Sequence, residues 1–121
     1  MSKRSSLLAA AVLFALVGFA QAGGLATIRV ARLPETLSAG KPTWVSFTVH
    51  DVAGKPINNL KPVVIATRGD QRVSIRASRA KQEGGYQARL AFPTAGEWTL
   101  TVDSKYCNNT AVLHDIEVAS R

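Results

Sequence analysis

The clearest pattern in the chain is the octapeptide TWVSFTVH, residues 43–50. Val45, Phe47 and Val49 fall on one side of an extended chain, and Trp44, Ser46, Thr48 and His50 fall on the other. A period of two is what a half-buried β-strand requires. The same pattern recurs down the chain. Ile28 and Val30 are in phase within residues 26–33. Residues 62–67 (PVVIAT) are more uniformly apolar, as expected of a central strand. Residues 72–77 (RVSIRA) alternate again. Tyr86, Ala88, Leu90 and Phe92 share a face, as do Trp98, Leu100 and Val102. The last strand is expected over 110–118, with Val112, His114, Ile116 and Val118 in phase. Turn-forming residues separate these runs: DVAGKP at 51–56, Gly84-Gly85, PTAG at 93–96 and Asn108-Asn109.

Seven short strands in one domain's length predict an all-β fold, an immunoglobulin-like antiparallel β-sandwich in which each strand buries one face. The core is expected to contain Phe47, Ile65, Tyr86, Leu90, Phe92, Trp98 and Leu100. Cys107 is the only cysteine, so an internal disulfide is excluded and packing alone must hold the two sheets together.

The first 22 residues follow a different logic. Lys3 and Arg4 precede an apolar, uncharged run from Leu7 to Ala20, and Ala20-Gln21-Ala22 offers small residues for cleavage. This is the layout of a secretory signal peptide, and the run is short of the roughly 20 residues a membrane span needs. The rival reading is an uncleaved N-terminal anchor. The expected organisation is a signal peptide over 1–22 and a single domain over 23–121, exported to the periplasm or secreted. Without Lys3 and Arg4, 13 basic residues face 8 acidic ones, a net charge of +5. The densest basic stretch, 68–81, reads as a solvated strand face and loop, or as a contact for an anionic membrane surface or acidic partner. It has neither the interleaved aromatics nor the recognition element of a nucleic-acid surface.

Two stretches carry a resemblance. Residues 39–66 (AGKPTWVSFTVHDVAGKPINNLKPVVIA) give glycine, strand, an Asp-x-x-Gly-Lys-Pro turn and a second strand. Residues 83–102 (EGGYQARLAFPTAGEWTLTV) give Gly-Tyr, Leu-x-Phe-Pro and a strand that opens with Gly-Glu-Trp. Together they resemble the YtkA-like and FixH-like family of exported bacterial immunoglobulin-like domains. That resemblance implies an accessory role in the cell envelope. For the FixH-like members it implies a link to assembly of copper-haem oxidases, with copper as the implied cofactor.

The residues themselves narrow the candidate chemistry. Met1 is the only methionine, so the candidate metal ligands are His50, His114 and Cys107. His50 reads as an exposed or turn-capping residue. His114 is expected to be partly buried and, across a tight Asn108-Asn109 turn, to stand opposite Asp103. Cys107 is a packing residue if buried, a reactive thiol if exposed, and a ligand only if the histidines converge on it. No Gly-x-Ser-x-Gly elbow and no phosphate-cradling glycine loop is present, so catalysis is not expected. The expected function is that of a non-catalytic exported cell-envelope binding or accessory module. The alternatives are a copper-related accessory of respiratory oxidase assembly and a basic envelope-binding module. Trp44 is the candidate partner-binding residue, either exposed on its strand face or covered by a loop.

Overall fold

A computed structural model describes residues 26–120. The expected signal peptide, residues 1–22, lies outside the described residues. The described residues form nine strands, in order β1 (Ala26–Val30), β2 (Leu37–Ser38), β3 (Thr43–Asp51), β4 (Val63–Arg68), β5 (Gln71–Arg76), β6 (Ser78–Arg79), β7 (Gly85–Leu90), β8 (Gly96–Asp103) and β9 (Thr110–Ala119). The seven longer strands are those the alternation predicts; β2 and β6 are two-residue pairings too short to leave a periodic signal. One sheet has the order β1-β3-β7-β6 and the other β2-β9-β8-β4-β5. Ladders are antiparallel except for the two-residue parallel pairing of β2 with β9. The fold is an immunoglobulin-like β-sandwich.

Outside β4 and β9 the inward faces are those the period-two pattern selects. Ile28, Val45, Phe47, Val49, Val64, Ala66, Tyr86, Leu90, Phe92, Trp98, Leu100 and Val102 are all buried. Two aromatic pairs anchor the interior. The Phe47 and Tyr86 rings stack at 5.7 Å, and Phe92 meets Trp98 edge-on at 5.5 Å. Offset or edge-on pairs add to the gain from burying their area. The two buried polar tips are satisfied. Trp98 Nε1 donates to the Thr94 carbonyl at 2.9 Å. The Tyr86 hydroxyl donates to the Ile57 carbonyl at 2.6 Å and accepts from the Leu60 amide at 3.1 Å, tying the β3–β4 connection to β7.

Three expectations are corrected. Ile65 is only half-buried. In β4 the inward phase belongs to Val64 and Ala66, and an apolar run gives no phase of its own. The β8–β9 connection is not a tight turn at Asn108-Asn109, because Asp103 pairs with Thr110 and six residues lie between them. Lys105, Cys107 and Asn108 all take left-handed φ values, 63°, 52° and 59°. Such a backbone is costly for non-glycine residues and persists where surrounding bonds over-determine it. Here Ser104 Oγ donates to the Asn109 carbonyl and accepts from the Tyr106 amide, while Asn109 Nδ2 donates to the Ala26 carbonyl at 2.8 Å.

The third correction concerns His114, which is exposed and has no register partner. Leu100 pairs with Leu113 and Trp98 with Ile116, so His114 and Asp115 together oppose Thr99 alone. This is a β-bulge, with Asp115 at φ 56°. It reverses the phase of β9. Ala111 faces inward before it, and Ile116 and Val118 after it.

Candidate functional site

The expected metal ligands are distributed over different parts of the fold. His50 lies half-buried near the end of β3, in the first sheet, paired with Thr27. His114 sits in the β9 bulge of the second sheet. Cys107 is an exposed free thiol in the β8–β9 loop. Among the described residues no group of three or more His, Cys, Asp or Glu side chains could hold a metal ion. As arranged, the expected donors do not fit a copper site.

Trp44 is placed very differently. The two tryptophans of the chain lie in opposite environments: Trp98 is 1% exposed and Trp44 54%. The alternation of β3 explains this. With Val45, Phe47 and Val49 committed to the core, Trp44 must face outward with Ser46, Thr48 and His50. No loop covers it. An indole left in water forgoes the gain from burying a large apolar surface, and such groups are preferred anchors of binding interfaces.

The surroundings of Trp44 form an open groove of about 510 Å³, lined by Arg32, Leu33, Pro34, Glu35, Pro42, Thr43 and Trp44. Register builds it. The Ala31 amide donates to the Ser46 carbonyl at 2.8 Å, which carries the chain beyond β1 alongside the start of β3. Residues 32–35 therefore run past Trp44 on one side. On the other side Arg89 of β7 is its cross-strand partner. Pro34 and Pro42 lack amide donors and add rigid apolar walls. Arg32 and Glu35 approach to 3.9 Å, an exposed ion pair that contributes little to stability.

The face around the groove is basic. On the outward phases of β1, β3 and β7 the fixed charges are Arg29 and Arg89, and Arg32 adds a third beside the groove. Glu35 is the acid on its rim. Sequence patterning found Trp44 through its outward phase but missed Leu33, Pro34, Pro42 and Arg89, which meet it only through strand pairing. At the opposite end of β3, Asp51 organises the turn that follows. Its Oδ1 accepts from the Ala53 and Lys55 amides, each at 2.9 Å. The Lys55 amide bond is the main cause that holds the Asp51 carboxyl below its usual range, with help from the Ala53 amide and the Lys55 charge.

A family profile described as YtkA-like matches residues 26–103, more than half of the 121-residue chain. The chain belongs to the YtkA-like family. The matched span of this YtkA-like domain runs from β1 through β8 and includes the whole Trp44 groove. It leaves out the β8–β9 loop and β9, and so both Cys107 and His114. No curated protein matches the chain.

Proposed function

We propose that this YtkA-like chain is an exported, non-catalytic accessory module of the cell envelope. It works by docking to another envelope protein through the Trp44 face. The observation that carries the reading is the exposure of Trp44 in an apolar groove bordered by Arg32 and Arg89. A partner surface that fits would insert an apolar side chain against the indole and offer carboxylates to the arginines. Membership of the YtkA-like family is consistent with an accessory role, and the signal-like N-terminal segment supports export. A copper-related role in oxidase assembly, which a resemblance to FixH-like proteins would imply, finds no ligand cluster among the described residues to support it.

The test is a photo-reactive amino acid at position 44 in living cells. A discrete protein adduct is expected from position 44, and Arg89→Glu in the same chain should abolish it. Val52, exposed at the other end of β3, serves as the control position. No adduct at 44, or equal adducts at 44 and 52, overturns the proposal. Salt-sensitive binding of anionic vesicles that requires Trp44, with no protein adduct, would instead make the membrane the partner.

A further inference from the structure

The outer face of the second sheet carries a charge pattern that fits a second copy of the same chain. The strands lie side by side in the order β9-β8-β4-β5. Burial alternation turns Val63, Ile65 and Thr67 of β4, and Thr99 and Thr101 of β8, to the outside, and all five are half-buried. One cross-strand row runs Ser74, Ile65, Thr101, Val112, and the next runs Arg72, Thr67, Thr99. The middle of the face is thus a strip of uncharged β-branched side chains, bounded at the two ends of β8 by Glu97 and Asp103.

Fixed charges stand on either side of that strip, and their signs differ. On the β5 side, Arg72 and Arg76 face outward and are exposed. On the β9 side, Asp115 and Glu117 are exposed. Glu97 lies directly across from Glu117. Like charges facing each other across a ladder are unfavourable, and a cation placed above them removes that cost.

We propose that this face is the interface of a two-fold symmetric homodimer, with the axis parallel to the strands and between β4 and β8. Rotation about that axis lays β5 of each copy over β9 of the other. Arg72 of one copy then meets Asp115 and Glu117 of the second, and the contact occurs twice, as an isologous interface requires. The uncharged strips meet at the axis, where Ile65 of one copy faces Thr101 of the second. An axis perpendicular to the strands would stack β5 on β5 and β9 on β9, opposing like charges on both sides. The charge pattern therefore selects one of the two in-plane axes. Four strands about 4.8 Å apart, over a length of roughly 25 Å, present on the order of 500 Å² per copy. Both copies together bury about 1,000 Å², the low end for a specific interface. The dimer is accordingly concentration-dependent and weakened by salt. It leaves the Trp44 groove free, because that groove lies on the opposite side of the sandwich, and it displays two such grooves facing away from each other.

The experiment measures mass by sedimentation equilibrium on protein expressed from the full coding sequence, from low to high micromolar concentration, with reductant present. The expected result is an apparent mass that rises about twofold with concentration and less at high salt. Arg72→Glu and Glu117→Arg should each remain monomeric. Both change exposed residues, and their urea midpoints check that the fold is kept. An equimolar mixture of the two variants should dimerise more than either alone, because in one contact the two introduced charges are opposite and in the other the wild-type charges are kept. A wild type that stays monomeric throughout, single variants that dimerise alone, or a mixture that stays monomeric overturns the proposal. So does a dimer that forms only without reductant, since that belongs to Cys107.

Discussion

Replacing Tyr86 by phenylalanine deletes one oxygen from beneath the β3–β4 connection and leaves the ring in place. The stacking with Phe47 at 5.7 Å and the burial of the ring are retained. Two hydrogen bonds are lost. The hydroxyl donates to the Ile57 carbonyl at 2.6 Å and accepts from the Leu60 amide at 3.1 Å. A net hydrogen bond is worth roughly 1 kcal/mol, and an orphaned buried partner costs roughly 1–3 kcal/mol. Ile57 and Leu60 are half-buried, so water can partly replace the hydroxyl. The expected loss is about 2 kcal/mol, which for a domain of this size lowers Tm by roughly 10 °C. Urea unfolding with an unchanged m-value gives the number, and hydrogen exchange locates it. Exchange of the Leu60 amide should accelerate more than that of amides in the centre of β8. A loss under about 0.5 kcal/mol would refute the argument, because that is the range of surface substitutions without a structural role. A loss of similar size with Leu60 exchange unchanged would place the cost elsewhere than the β3–β4 connection.

Further outcomes follow from other residues. Gly84 has φ +71°, and a Cβ there would stand 2.9 Å from both Pro56 Cβ and the Val49 carbonyl oxygen. Gly84→Ala should cost about 2–4 kcal/mol, strain and overpacking together. Gly54→Ala, with φ +87° and nothing within 4 Å, should cost about 1–2 kcal/mol; equal urea midpoints for the two variants would remove the packing argument. Iodide should quench the fluorescence of Trp44 and spare Trp98, so a Trp44→Ala protein should be almost unquenchable at nearly unchanged stability. Asp51 has a lowered pKa in the folded state, so its ionised form contributes stability above the ordinary carboxylate range. That contribution is lost as pH falls through the folded pKa. The stability gap between wild type and Asp51→Asn should therefore be full at neutral pH and close below about pH 4. A gap that widens on acidification would reverse the sign.

Most of the longer strands were legible because they alternate over at least two periods of the pattern. In β3 the phase of Val45, Phe47 and Val49 fixes the outward direction of Trp44 without any knowledge of the partner strands. Ile65 was misread because β4 offers apolar residues on both faces, and only pairing with β8 and β5 decides which face is inside. His114 was misread because a single inserted residue reverses the phase, and the inserted Asp115 carries no glycine to mark it. The Cys107 loop was misread as a tight turn because Asn108-Asn109 has turn chemistry. Its six-residue form is held by Ser104 and by the reach of Asn109 to Ala26, which is 83 residues away in sequence.

The sequence alone determined the strand content, the sandwich, the burial of Trp98 and the outward direction of Trp44. Those properties follow from local alternation, which strands such as β3 and β8 express independently of their neighbours. Tertiary structure decided what stands beside Trp44, where His50, His114 and Cys107 lie relative to one another, and which charges share the outer face of the second sheet. These are matters of register and bulge. One residue's slip moves a whole strand's side chains to the other face, and no short-range pattern encodes the pairing partner.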